Sequence, residues 1–319
     1  MGRLFTFFRC LTACFAGAWP TLPCEGKADH VVSMQQSILL GAVQGICEYV
    51  PISSTAHLLF AENFMGLVDW DRGLRDADLV TANLPASIDC YNLVIQWGSI
   101  LAVAVFFRRR LGKIFLGIFG RSQEGLWLLV NLSIALFPTA AAGFLLADRL
   151  QIYRRSPHSI GTALAVGGIY LLLLCAYLRR RKFSGNAIEG MTFEKSLAIG
   201  FLQCLALFPG MSRSLMTITG GLLLGFSPAA ALEFSFLLGF ATLCAALIYQ
   251  IFGGHLYGFD FSWLFPTILG CVAAFLAAIF SLCILIYLLR RRLFWSMLFV
   301  FGLYRIAAAA GIFLGGISH

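Results

Sequence analysis

Two short stretches hold nearly all the side chains able to do chemistry: QGICEYVPISSTAH at residues 44–57 and LFPGMSRSLMT at residues 207–217. In the first, Gln44 and Glu48 stand four residues apart, so on a helix they share a face and can offer oxygens to one cation or hydrogen-bond donor. Ser53, Ser54 and Thr55 follow Pro51 and lead into an apolar arm. That is the setting in which hydroxyls and helix N-terminal amides bind anions, and equally the setting of an ordinary N-cap. His57, alone among the five histidines, falls in such a segment and suits a general acid or base. In the second stretch Arg213 sits between Ser212 and Ser214 and before Thr217, and its planar, permanently charged fork matches a phosphate. Hydroxyls, a carboxylate, a histidine and an arginine together specify a polyanion that is acted upon.

These residues must be positioned by elements inside a membrane. The 319-residue chain is 60% hydrophobic and 12% charged, with mean hydropathy +0.86, against about 25% charged residues in ordinary soluble domains. Apolar runs near 91–107, 127–147, 158–178, 229–252, 263–289 and 293–317 approach or exceed the roughly 20 residues a spanning helix needs. The net charge of +8 does not point to nucleic acid, because the basic residues cluster at span ends, at 108–110, 179–182 and 290–292. Such blocks face the cytoplasm. The ten cysteines form no CxxC pair and are mostly scattered through apolar segments, so neither a zinc site nor a disulfide framework is expected.

With all three blocks inside, the spans alternate so that residues 183–228 start and end inside while residues 34–66 start and end outside. Each of these segments has two apolar arms too short to cross, around a Pro-broken polar middle. Both read as re-entrant hairpins entering from opposite faces, the inverted-repeat plan that places a site where broken helices meet. Aligning Pro51 with Pro209 puts Ser54 opposite Ser212 and Thr55 opposite Arg213. Residues 62–90 carry Glu62, Asp69, Asp71, Asp76, Asp78 and Asp89 and read as an external lid or solvated loop. Residues 1–33 form an N-terminal extension ahead of a membrane domain at 34–319. It fits a cleaved signal, a start mis-assigned ahead of Met34, or a retained helix or lipid anchor.

The two chemical stretches resemble the signature regions of the undecaprenyl-diphosphate phosphatase family of the bacitracin-resistance type. The likeness continues through YNLVIQWGSILAV, LFPTAAAGFLL, EFSFLL and FGLYRIAAA. The resemblance implies an all-α integral membrane enzyme that removes the terminal phosphate of a C55 polyprenyl diphosphate, recycling the lipid carrier of cell-wall polymers with the help of a divalent cation. It assigns the acidic pair and the Ser-Ser-Thr-x-His run to Gln44, Glu48, Ser53, Ser54, Thr55 and His57, and the phosphate-holding group to Ser212, Arg213, Ser214 and Thr217. The chain departs from the family at Gln44, where many members have glutamate, at Ala56 and Leu215, where glycine is usual, and at Ala241, where proline is common. A neutral amide can still ligate a hard cation but adds no charge.

On this reading Glu48 and Gln44 hold magnesium or calcium, Arg213 with Ser212, Ser214 and Thr217 clamps phosphate, Ser53 and Thr55 donate hydrogen bonds, and Ser54 or a water attacks. His57, three residues beyond Ser54, would neighbour it on a helix and move the proton. The enzyme would be multi-pass in the cytoplasmic membrane with its site open to the outer face. A homodimer stays open, as does a polyprenyl-phosphate transporter or flippase, because broken helices in inverted repeats also build transporters.

Overall fold

The computed structural model describes residues 32–67, 86–151, 153, 156–179, 187–252 and 263–315. The readings of the N-terminal extension and of most of the acidic loop therefore lie outside the described residues. Among these are eleven α-helices and no strand: α1 (Met34–Glu48), α2 (Ser54–Phe64), α3 (Ala86–Phe106), α4 (Arg108–Ile118), α5 (Gln123–Gln151), α6 (Pro157–Leu178), α7 (Phe193–Cys204), α8 (Arg213–Leu223), α9 (Pro228–Phe252), α10 (Leu264–Arg290) and α11 (Phe294–Gly315).

Five of them, α5, α6, α9, α10 and α11, contain stretches long and apolar enough to cross a membrane, and α3 with α4 makes a sixth, bent by 84°. The chain is an integral membrane protein, as its composition requires. The bend falls at Phe107, just before the arginines at 108–110, which cannot stay in hydrocarbon and turn the chain aside. There α4 packs on α5 where Gly117 and Gly125 leave no room for a Cβ. Arg110 then bonds Glu233 at 2.6 Å, Glu189 at 2.9 Å and also Glu124. The first arginine block thus fastens α4 to α5, α9 and the turn before α7.

The two expected hairpins are present. Arms α1 and α2 have 15 and 11 residues, and α7 and α8 have 12 and 11, or about 16–22 Å at 1.5 Å per residue against roughly 30 Å of hydrocarbon. Each arm packs on its partner instead of crossing. Three spans, α3, α5 and α6, separate the hairpins, so the two enter from opposite sides.

The packing repeats when the halves are exchanged. Helix α1 lies on α10 as α7 lies on α5; α3 meets α10 as α9 meets α5; α6 pairs with α11, and α3 with α9. Small residues permit these approaches: Gly41 abuts the Gly270 carbonyl, and Gly168 and Gly302 face each other across α6 and α11.

One expectation is corrected. Glu62 is no solvated loop residue: α2 extends past it, it is fully buried, and its Oε1 accepts a hydrogen bond from Asn92 at 2.6 Å. The charge pattern beyond Phe64 hid that Glu62 still belongs to the arm.

Candidate active site

Both hairpins break in the same way. Ser53 adopts φ 79 and caps α2 by accepting from Ala56 N at 3.4 Å; Ser212 adopts φ 75 and caps α8 by accepting from Leu215 N at 3.3 Å. Left-handed backbone at a non-glycine residue costs on the order of 1–3 kcal/mol and persists only where its surroundings enforce it. Ser53 is therefore the counterpart of Ser212, and the proline-based pairing of Ser54 with Ser212 is off by one. The cause is Gly210, at φ 90, an extra residue between Pro209 and its cap. Ser54 corresponds to Arg213 and Thr55 to Ser214.

Glu48, the last residue of α1, gathers the site. Its Oε2 accepts from Ser54 Oγ and from Gln44 Nε2, both at 2.9 Å, and its Oε1 accepts from Arg213 Nη2 at 3.1 Å. Arg213 opens α8, and its guanidinium lies across Gly239 of α9 while Nη1 donates to Ser235 O at 3.3 Å. A Cβ at Gly239 would overlap that guanidinium. Ser214 Oγ donates to Val50 O at 2.9 Å and lies 3.1 Å from Ser212 Oγ. Two chain breaks more than 150 residues apart in sequence thus meet. The N-termini of α2 and α8, each an end of positive dipole with free amides, carry Ser54 and Arg213 at this junction.

The ten expected site residues separate by burial. Glu48, Ser54, His57, Ser212 and Arg213 are half-buried and Thr55 is exposed, whereas Gln44, Ser53, Ser214 and Thr217 are buried. Thr217 bonds Ser235 Oγ at 2.6 Å and Arg213 O at 3.0 Å, which fixes α8 on α9. Gln44 Oε1 is buried without a hydrogen-bond partner beside Glu48. Among the described residues no cluster of three or more His, Cys, Asp or Glu side chains could hold a metal. A lone carboxylate with an orphaned amide oxygen suits a hard cation that takes its remaining ligands from water and substrate phosphate.

His57 does not face Ser54. Its Nδ1 lies 2.7 Å from Ser53 O, which can only accept, so Nδ1 carries the proton. Its Nε2 lies 2.6 Å from Tyr304 Oη, and the two rings stack at 5.5 Å. Tyr304, Arg305 and Ser235 surround the site, yet the residue-by-residue reading missed them. For Arg305 a signal was present: an arginine inside the last apolar run satisfies the same criterion that singled out Arg213. A second signal is a repeated spacing in the first arms. Ser33, Ser37, Gly41 and Gln44 match Thr192, Ser196, Gly200 and Gln203 position for position.

A family model described as bacitracin resistance protein BacA matches residues 37–311. The undecaprenyl-diphosphatase of Sorangium cellulosum (strain So ce56) is 35% identical over 277 residues, covering 86% of this chain and 83% of the relative. Undecaprenyl-diphosphatase 2 of Rhodospirillum rubrum is 36% identical over 278 residues, covering 87% and 93%. The undecaprenyl-diphosphatase of Clostridium tetani is 35% identical over 247 residues, covering 76% and 83%.

Proposed function

This chain belongs to the bacitracin resistance protein BacA family, and from that premise we propose that it hydrolyses undecaprenyl diphosphate to undecaprenyl phosphate and inorganic phosphate in the membrane. The observation that carries the reading is the carboxylate of Glu48, which holds the hydroxyl of Ser54 on one hairpin and the guanidinium of Arg213 on the other. A nucleophile with a base and an anion clamp are joined through one side chain.

Phosphoryl transfer needs charge neutralisation and in-line positioning more than covalent novelty. Arg213, the hydroxyls of Ser212 and Thr55 and the two helix N-termini receive the diphosphate. Because a phosphate and Glu48 compete for the same guanidinium edge, docking loosens the carboxylate from Arg213 and leaves it to Ser54. The Ser54 Oγ–P bond forms as the bridging P–O bond breaks; the Ser54 proton passes to Glu48 and undecaprenyl phosphate departs. Water then attacks the phosphoserine, its proton passing to His57, while Glu48 returns its proton to the departing Ser54 oxygen. Glu48 and the free amide oxygen of Gln44 would hold a divalent cation, magnesium or calcium, which when bound offsets charge on the diphosphate oxygens. The apolar arms of the hairpins flank the prenyl tail, and the site opens to the outer face.

Phosphate release from undecaprenyl diphosphate by the purified protein in detergent micelles, with magnesium or calcium supplied, tests this directly. Transport is the second reading, favoured by halves whose packing exchanges. No release with either cation would leave transport standing, since micelles offer no second compartment.

A further inference from the structure

Helix α11 places a second arginine at the junction, and it touches no part of the surface. Arg305 is fully buried. Its Nη1 donates to Pro51 O at 3.3 Å; its Nη2 donates to Gly210 O at 2.9 Å, Ala163 O at 3.1 Å and Met211 O at 3.3 Å. Pro51 belongs to the first hairpin break, Gly210 and Met211 to the second, and Ala163 to α6. Among the described residues Arg305 has no carboxylate partner, and its Nε has no hydrogen-bond partner. A buried charge met only by carbonyl oxygens is expensive, so hydrophobic packing alone does not account for it.

The exchange of halves sharpens the point. Gly168 and Gly302 face each other, and two residues beyond each stands a tyrosine: Tyr170 bonds Thr219 on α8, and Tyr304 bonds His57 on α2. Three residues beyond each glycine the halves part. The first half has Leu171, fully buried, where the second has Arg305. Leucine is what the packing at this position takes when no chain break needs gripping. Gly167 completes the arrangement, since a Cβ there would overlap the Arg305 guanidinium.

We propose that Arg305 is a positioning residue that grips the backbone of both hairpin breaks at once and sets the spacing between Ser54 and Glu48 on one side and Arg213 on the other. It acts through Pro51, two residues before Ser53, and through Gly210 and Met211, immediately before Ser212. Those neighbours are the two left-handed caps, whose strained backbone must be enforced from outside. The proposal rests on the hydrolytic reading for its kinetic consequence but not for its structural one.

Arg305→Lys keeps a buried cation yet cannot span four carbonyls in two directions. Gly167→Ala keeps Arg305 itself and displaces its guanidinium. Both variants and wild type are compared by turnover per folded molecule and by hydrogen exchange of peptides covering residues 49–54 and 208–213. We expect Arg305→Lys to lower kcat by about 30-fold or more with KM within about threefold, Gly167→Ala to lower kcat by a smaller factor, and exchange in both breaks to quicken in both variants. Exchange unchanged in either break, or kcat within about threefold of wild type for Arg305→Lys, overturns the proposal. Loss of activity that merely follows the folded fraction overturns it too, since that is what a stabilising role alone produces. If wild type itself released no phosphate, the hydrolytic reading would fail while the exchange data still decided the grip.

Discussion

Glu48 Oε1 and Arg213 Nη2, 165 positions apart in the chain, lie 3.1 Å apart at the meeting point of two hairpins, with side chains only 8% and 14% exposed. Neither hairpin assembles the pair alone. Removing one member of a pair this well buried leaves the other uncompensated, at a cost of about 3–5 kcal/mol, so each hairpin's ionic partner helps hold the other in place.

Arg213→Lys should abolish most turnover even though charge is conserved, because an ammonium cannot lie across Gly239, reach Ser235 O and hold Glu48 or a phosphate with the same planar fork. Steady-state phosphate release measures it. Near-normal kcat would remove Arg213 from the clamp.

Ser54→Ala separates a serine nucleophile from a water. The variant should still bind diphosphate lipid through Arg213 and show no turnover. Retention of more than about a tenth of the wild-type rate, a loss under roughly 1.4 kcal/mol, would leave water as the attacking group. His57→Gln should slow hydrolysis by about 10²- to 10⁴-fold, the usual worth of acid–base catalysis. A smaller effect would reduce His57 to a partner of Tyr304.

Glu48→Gln should lose activity that added magnesium or calcium restores only in part, since Gln44 leaves the pair with one charge. Gln44→Glu should instead lower the cation concentration needed for half-maximal rate. Titrating either cation after chelation gives both answers, and undiminished wild-type activity in excess chelator would refute the cation assignment.

Topology is open to labelling. In a background whose native thiols do not react, a cysteine at Arg291 should be reached by an impermeant reagent only after the membrane is opened, and one at Tyr153 in intact cells. The reverse pattern would turn the molecule over.

How far the sequence carried the site follows from what polar residues do in hydrocarbon. Glu48, Ser54 and Arg213 interrupt apolar runs next to prolines, and that contrast is visible without coordinates. Arg305 leaves the same trace but no break of its own, so a whole-span reading absorbed it. The separate helix α4 was invisible because its apolar face continues the hydropathy of α3; only the direction changes, at the arginines. The one-residue offset between the caps could not be read from prolines, since Gly210 lengthens one turn and backbone angle, not spacing, defines the equivalence. That His57 turns to Tyr304, and Ser54 to Glu48, depends on the rotation of α2 against α11 and α1, which a linear pattern does not encode.

The exchangeable packing of the halves carries a consequence for assembly. A half-length chain on this plan could find its complement only in a copy inserted the other way up, and the resulting pair would have two identical corners. Joining the halves in one polypeptide guarantees one of each orientation in every molecule and frees the copies to diverge. Here the first half keeps Glu48 and Ser54, where the second has Leu207 and Arg213, and the second keeps Arg305, where the first has Leu171. Fusion thus turns symmetric docking into a division of labour, with the reacting groups in one copy and the cationic grip in the other.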